Sequence, residues 1–193
     1  KQEIEQFPRR TETNRRNFYN DLSFLVYRYF LQLFKQKEYV MEIERKFLIK
    51  KDRLPDNLAQ YPCHEIEQGY LCTEPVVRIR RQDDEYYLTY KSKGFMAREE
   101  YNLPLTKAAY LHLKPKADGL VISKTRYLIP EKNGLTIELD VFHQEYEGLL
   151  LAEVEFSSQE EAESYCPPDW FGEDVTFSVR YHNSTLSRGL TEK

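Results

Sequence analysis

The 193-residue chain has few cysteines and no long apolar segment. Cys63, Cys72 and Cys166 are far apart and form no CxxC pair, which argues against a disulfide framework and against a thiolate zinc site. The most apolar stretch, residues 22–34, is interrupted by an arginine and a glutamine and is shorter than the about 20 apolar residues that span a bilayer. The same segment lacks the small-residue cleavage site of a signal peptide. We therefore expect a cytoplasmic protein with no membrane partner.

The chain also lacks a strong excess of charge of either sign. It contains 28 Lys and Arg against 32 Asp and Glu, which leaves a formal net charge of -4. This balance gives no reason to expect a nucleic-acid partner, because such proteins usually carry excess positive charge. Any site for an anionic ligand must therefore arise from the local arrangement of charges.

Residues 1–40 differ in pattern from the rest of the chain and predict one amphipathic helix. We expect this extension to pack on the domain or on a second subunit. In the second case the protein is a homodimer. Binding to a membrane surface and an extension without a role of its own are the alternatives. The compact domain is predicted to cover residues 41–193. The apolar residues at helical spacing are Phe18, Leu22, Leu25, Tyr29 and Leu33.

From Met41 onward, short runs with a period of two alternate with turn residues, which indicates a β-rich α+β fold. The pairs Asp83-Asp84 and Asn133-Gly134 favour tight hairpin turns. Helices are predicted over 106–116, with Thr106 as N-cap, and over 159–165, after a serine N-cap. The eight predicted strands cover residues 42–50, 63–72, 76–82, 85–92, 97–103, 119–130, 134–143 and 149–156.

Charged residues occupy one face of most predicted strands, and they are sorted by sign. A solvated sheet face explains any single pair, but a surface selected only for solubility would mix the two signs. Same-face basic pairs are Arg78 with Arg80, Lys91 with Lys93, and Lys124 with Arg126. Same-face acidic pairs are Glu138 with Asp140 and Glu153 with Glu155, and the first strand carries Glu42, Glu44 and Lys46.

If the eight strands close into a barrel with these faces inward, the interior holds a cationic wall and a carboxylate cluster. Isolated buried charges lose several kcal/mol of hydration each, so this interior requires water, divalent cations or a polyanion. Carboxylate oxygens are ligands that Mg²⁺ and Mn²⁺ prefer, and a guanidinium matches phosphate oxygens. The sorted charges therefore predict a site for a metal-complexed polyphosphate. The four histidines show no triad arrangement, and we expect them at the surface or in packing.

The string E-I-E-R-K at 42–46 matches the ExExK signature of the CYTH superfamily, the triphosphate tunnel metalloenzymes. Further motifs follow in the family's order, so the chain resembles this family from Met41 to about Gly189. These motifs are Q-G-Y-L at 68–71, V-R-I-R at 77–80, Y-L-T-Y-K-S-K-G at 87–94, R-E-E at 98–100, I-S-K-T-R-Y at 122–127, E-L-D-V-F at 138–142, L-A-E-V-E-F at 151–156 and Y-H-N-S-T-L at 181–186.

The resemblance implies a closed eight-stranded antiparallel β-barrel, the triphosphate tunnel, that holds one or two Mg²⁺ or Mn²⁺ ions. It implies metal ligands at Glu42, Glu44, Glu100, Asp140, Glu153 and Glu155, and phosphate-binding residues at Lys46, Arg78, Arg80, Lys91, Lys93, Arg98, Lys124 and Arg126. Glu153, Glu155 and Lys46 are the predicted catalytic residues, with either glutamate orienting the attacking water. The family often has a glutamate where this chain has Asn102, so a second metal ion would meet one negative charge fewer.

The family includes three activities that share such a site. We predict metal-dependent hydrolysis of inorganic tripolyphosphate to pyrophosphate and phosphate, because no base-recognition element is evident in this small chain. Hydrolysis of thiamine or nucleoside triphosphate and cyclisation of ATP are the alternatives. A polyphosphate-binding module without catalysis is the alternative outside enzymology, because a fold does not fix an activity.

Overall fold

The computed structural model of the protein describes residues 40–93 and 96–189, and only the backbone at Val40, Met41, Ala97 and Arg98. The helix predicted within residues 1–40 lies outside this part of the chain. Within the described ranges, no helix is both long and apolar enough to cross a membrane.

Nine strands form the framework of the domain. The first eight lie within two residues of the predicted strand ends, because their period-two patterns are long and bounded by turns. The short ninth strand was not predicted. The strands are β1 (Val40–Ile49), β2 (Cys63–Thr73), β3 (Val76–Gln82), β4 (Glu85–Lys91), β5 (Ala97–Pro104), β6 (Asp118–Pro130), β7 (Thr136–Phe142), β8 (Leu150–Glu155) and β9 (Phe171–Asp174).

All strand pairings are antiparallel, and the spatial order is β5-β4-β3-β2-β6-β7-β8-β1-β9. β1 pairs with β8 from Glu44↔Glu155 to Leu48↔Leu151. It also pairs with β5 from Val40↔Glu100 to Ile43↔Ala97, so that the first eight strands form a ring. The β5 pairing covers only the first part of β1, and β9 pairs with the later part. The prediction of an eight-stranded antiparallel barrel is confirmed, with β9 as an addition.

Three short helices flank the strands: α1 (Lys107–Leu113), α2 (Gln159–Ser164) and α3 (Asn183–Leu186). The hydroxyl of Thr106 accepts a hydrogen bond from the Ala109 amide at 3.1 Å, as an N-cap does. Ser158 caps α2 in the same way. Both predicted hairpins are also present, since Gln82 pairs with Glu85 and Pro130 pairs with Thr136. Their turn residues Asp83 and Asn133 adopt positive φ angles of 52° and 60°.

An apolar cluster lies outside the ring, against the outer faces of β1, β7 and β8. Phe47, Leu139 and Val154 point outward and pack with Ala162 of α2 and Phe171 of β9. Full burial of a large apolar side chain stabilises a fold by about 1.5–3 kcal/mol. This cluster leaves the opposite face of the same strands to line the interior.

A second apolar cluster fills one end of the interior. Ile122, Phe142 and Leu151 lie on the inward faces of β6, β7 and β8, and they pack around Leu186 of α3. Among the described residues this cluster closes one end of the tunnel, which we call the blind end. The other end, around Glu155 at the end of β8, is the mouth.

Candidate active site

Strand alternation places a charged set of side chains inside the ring. The paired registers put these residues on one continuous face, because directly paired residues in a sheet share a face. Lys46 lies opposite Glu153, for example, and Arg126 lies opposite Asp140. The inward residues are Glu42, Glu44, Lys46, Gln68, Tyr70, Arg78, Arg80, Thr89, Lys91, Glu100, Asn102, Lys124, Arg126, Glu138, Asp140, Glu153 and Glu155.

The most tightly paired part of the interior surrounds Arg126. Its Nε and Nη2 atoms donate to the two oxygens of Asp140, each at 2.7 Å, and its guanidinium also contacts Glu138 and Glu153. Burial acts to lower the pKa of Arg126, but Asp140 and the other two carboxylates raise it well above its ordinary value. Asp140 is fully buried and also binds Lys124. We call Lys124, Arg126 and Asp140 the fixed cluster.

Lys124 carries the opposite shift although it shares the same carboxylate. Its side chain is completely buried. Burial, reinforced by the positive charge of Arg126, lowers the pKa of Lys124 to about 8 in spite of the attraction of Asp140. Lys124 is therefore the less strongly stabilised of the two cations that share Asp140.

Lys46 links two carboxylates of the ExExK strand and its neighbour. Its Nζ lies 2.8 Å from Glu153 and 3.9 Å from Glu44. Burial acts to raise the pKa of Glu153, but Lys46 and Arg126 lower it well below its ordinary value. Burial raises the pKa of Glu44, and Lys46 offsets this only in part. Glu153 is therefore a fixed anion, whereas Glu44 carries less compensated charge.

Lys91 of β4 likewise links two carboxylates, Glu42 of β1 and Glu100 of β5. Its Nζ donates to both oxygens of Glu42 at 2.6 and 2.7 Å and lies 2.5 Å from Glu100. Asn102 donates to Glu100 at 2.8 Å and accepts from Thr89 at 2.6 Å. The amide that replaces the family's common glutamate therefore supports Glu100 by a hydrogen bond.

Arg78 and Arg80 of β3 have weaker partners than the fixed cluster has. Two nitrogens of Arg80 donate to the side-chain oxygen of Gln68 at 3.2 and 3.0 Å, a neutral acceptor. Arg78 lies 3.7 Å from Glu100, and within the described part of the chain its buried Nε has no hydrogen-bond partner. Burial, followed by the charges of Arg78 and Arg126, lowers the pKa of Arg80 to about 10. Arg80 therefore remains charged at neutral pH, and the planar guanidiniums of both residues match the oxygens of a phosphate.

The mouth is acidic. Glu155 is exposed there, and its pKa is raised to about 7, first by the loss of hydration against the wall and then by Glu138, Glu42 and Glu44. Like charges in close proximity disfavour ionisation, so the neighbouring carboxylates make a negative charge on Glu155 costly. A cation among them would relieve the repulsion.

The donor set at the mouth fits a divalent metal ion. Glu42, Glu44, Glu153 and Glu155 supply hard oxygen ligands, and the pKa values of Glu44 and Glu155 are raised, first by burial and also by neighbouring carboxylates. Over residues 40–93 and 96–189, no three His, Cys, Asp or Glu side chains already converge on one metal position. Instead, Glu42 and Glu153 bind Lys91 and Lys46. These carboxylates could hold a metal after turning from the lysines.

The structure brings most of the predicted site residues into one interior, with two exceptions. Lys93 follows the end of β4, where the strand alternation stops. Its side chain is 82% exposed and pairs with Glu74 at 2.6 Å, so it lies apart from the tunnel lining. Arg98 pairs through its backbone with Glu42, and its side chain lies outside the described part of the structure. Asp140 is inside, but it binds two cations of the fixed cluster.

The interior also contains residues that were not among the predicted site residues. Glu138 lies on a strand face already identified as charged, so the alternation pattern gave a usable signal for it. Gln68 belongs to the Q-G-Y-L motif at 68–71, which was its sequence signal. The blind end adds a C-terminal segment, because His182, Asn183 and Ser184 line a pocket shared with Lys46 and other inward residues. The Y-H-N-S-T-L motif at 181–186 was the only sequence signal for this segment.

Comparison with known proteins agrees with this geometry. The family model described as the CYTH domain matches residues 41–187, so the chain belongs to the CYTH family. It is 40% identical to an inorganic triphosphatase of Nitrosomonas europaea, over 77% of this chain and 98% of that protein. It is 38% identical to an inorganic triphosphatase of Acetivibrio thermocellus, over 75% of this chain and 92% of that protein.

A solved structure supports the same assignment. The crystal structure of an inorganic triphosphatase matches with a TM-score of 0.60 and 38% identity, over 78% of this chain and 97% of that chain. The family resemblance inferred from the ordered motifs is thus confirmed. CYTH triphosphatases in general depend on metal ions.

Proposed function

We propose that the protein hydrolyses inorganic tripolyphosphate to pyrophosphate and phosphate inside its charged tunnel. The observation that carries the proposal is a pair of inward arginines, the buried Arg78 and the half-buried Arg80, whose partners are a distant carboxylate and a neutral amide. Such guanidiniums bind phosphate oxygens in a water-poor site, where electrostatic interactions are strong. The relatives named as inorganic triphosphatases support the choice of substrate.

Different residues of the lining have different roles in the proposed reaction. Arg78, Arg80 and Lys91 bind the phosphate chain, and Lys46 neutralises charge next to Glu153. Hydrolysis requires a water held in line with the phosphorus that is attacked. We assign its orientation to Glu155, because this carboxylate lies at the mouth and, in the described structure, forms none of the ion pairs that hold Glu153. Glu153 suits this role less, since Lys46 and Arg126 lower its pKa and thereby make it a weaker base.

A divalent ion, which we propose is Mg²⁺ or Mn²⁺, would be held by Glu42, Glu44, Glu153 and Glu155. When bound, it neutralises phosphate charge and lowers the pKa of a coordinated water. The three free cysteines suit a reducing compartment, and we propose a cytoplasmic location.

Phosphate release tests this function directly. We expect release from tripolyphosphate with Mg²⁺ or Mn²⁺ and at least a tenfold lower rate from ATP and thiamine triphosphate, because most of the described lining is charged and suits phosphate groups rather than a ring. Adding EDTA should abolish release. Undiminished release in EDTA would contradict the metal dependence, and tight binding without turnover would favour a binding module. Faster release from ATP or thiamine triphosphate would identify that compound as the substrate in place of tripolyphosphate.

A further inference from the structure

The blind end of the tunnel contains polar side chains to which the proposed function assigns no role. His182, Asn183 and Ser184 line one pocket together with the inward residues Lys46, Tyr70, Val76, Arg78 and Lys91. Three of these inward residues carry positive charge. The pocket therefore joins the phosphate-binding cations to the segment that begins α3.

Of these side chains, that of Asn183 carries an unused hydrogen-bond acceptor. Among the described residues, its buried side-chain oxygen has no hydrogen-bond partner, and the same is true of the buried Nε of Arg78, a residue that lines the same pocket. Most buried polar atoms in native proteins are paired, and each unpaired one costs about 1–3 kcal/mol. Two such atoms in one pocket indicate a ligand that supplies both a donor and an acceptor.

The position of Asn183 is fixed by the packing of α3. Leu186, one helical turn further on, is completely buried in the apolar cluster of the blind end. The hydroxyl of Tyr146 donates to the carbonyl of Leu186, and the amide of Leu120 donates to the carbonyl of Ser187 at 2.6 Å. Gly119 permits this contact, because a Cβ there would lie 2.1 Å from the Ser187 oxygen. Asn183 is therefore held in place before a ligand binds.

We propose that Asn183 recognises the free terminal phosphoryl group of the substrate at the blind end. This inference rests on the proposed function, because it assigns a subsite within the same tunnel. Internal phosphates of a polyphosphate offer only acceptor oxygens. A terminal phosphoryl group has a second pKa near 6, so it also offers a P–OH donor for part of the time. The carbonyl oxygen of Asn183 accepts from that hydroxyl, and the Nε of Arg78 donates to a phosphoryl oxygen.

Asn183→Leu tests the subsite, since leucine has a similar size but no polar atoms. A hydrogen bond to a charged group corresponds to about a 10- to 100-fold change in affinity. We expect KM for tripolyphosphate to rise by about that factor, with kcat reduced much less. The matched control is Thr185→Ala, on the same helix but not lining the pocket, and its KM should stay within about twofold. An unchanged KM in Asn183→Leu would overturn the proposal, and Asn183→Ser replaces this variant if it does not fold.

Competition between ligands supplies a readout that a merely structural role would not alter. ATP carries a free terminal phosphoryl group, whereas diadenosine triphosphate carries the same number of phosphates with both ends blocked. We expect ATP to displace tripolyphosphate from the wild type and diadenosine triphosphate to fail, and we expect this difference to shrink in Asn183→Leu. Equal competition by both compounds in the wild type would overturn the inference. Because titration calorimetry measures binding alone, this result stands even if the wild type releases no phosphate, which would contradict only the proposed hydrolysis.

Discussion

Two groups of cations line the same tunnel and differ in how they are paired. The fixed cluster on β6 and β7 holds Lys124 and Arg126 against the fully buried Asp140. On β3, Arg78 and Arg80 have only the distant Glu100 and the neutral Gln68 as partners. The first group exchanges the hydration of its charges for complete ion pairs, whereas the second keeps donor capacity that a ligand can use. Residues of one chemical type on neighbouring strands therefore contribute differently to stability and binding.

Asp140→Ala is the variant that should separate the two groups most strongly. It leaves Lys124 and Arg126 buried without their shared carboxylate, and breaking a buried ion pair in this way costs about 3–5 kcal/mol. We expect that loss in the free energy of unfolding, measured by urea denaturation without metal or substrate. Glu145→Ala, which removes an exposed carboxylate, is the control and should change stability by less than about 0.5 kcal/mol. If Asp140→Ala is as stable as the wild type, Asp140 does not hold the cluster, and its predicted role as a metal ligand regains weight.

Arg78→Ala should weaken substrate binding and leave stability nearly unchanged, in contrast to Asp140→Ala. We expect KM for tripolyphosphate to rise about 10- to 100-fold, because a charge-assisted contact with phosphate is lost. The free energy of unfolding should change by less than about 1 kcal/mol, because Arg78 has no close ion-pair partner in the described structure. Lys93→Ala is the matched loss of a cation, and its exposed side chain predicts a change in KM of less than about twofold. Equal effects of the two variants on KM would contradict the division between lining and surface residues.

Glu155→Gln should have the smallest effect, and its sign depends on pH. The folded protein holds the Glu155 proton up to about pH 7, whereas the ordinary pKa is 4.5. Between these values the folded state binds the proton that the unfolded chain releases, so the wild type loses stability as pH rises through about 7. The metal-free variant should therefore melt about 1–3 °C above the wild type at pH 8. At pH 4 the two should agree, and a difference there of the same size would contradict the titration of Glu155 as the cause.

Most of the fold could be predicted from the sequence, because apolar and polar residues alternate visibly along each of the long strands. The N-caps Thr106 and Ser158 were equally readable. The strand β9 and the helix α3 have only four residues each, too few for either period to emerge. Their positions depend on contacts with β1 and β6, which lie far away in the chain.

The candidate site was predictable as a set of inward residues but not as a set of partners. Alternation identified Lys91 and Lys93 as one pair, yet β4 ends at Lys91, so Lys93 reaches the surface. The engagement of Asp140 by two cations follows from the register between β6 and β7, which no single strand reveals. The roles of the individual carboxylates stay predictions until metal binding is measured.

The closed end of the tunnel has a consequence for the order of catalytic events. Leu186 and its apolar neighbours fill that end of the described structure, so substrate and both products must share the mouth. The fragment nearer the mouth has to depart before the fragment behind it, and either fragment blocks the next substrate while it stays. The order in which the products leave thus follows from the geometry of the tunnel as well as from the chemistry within it.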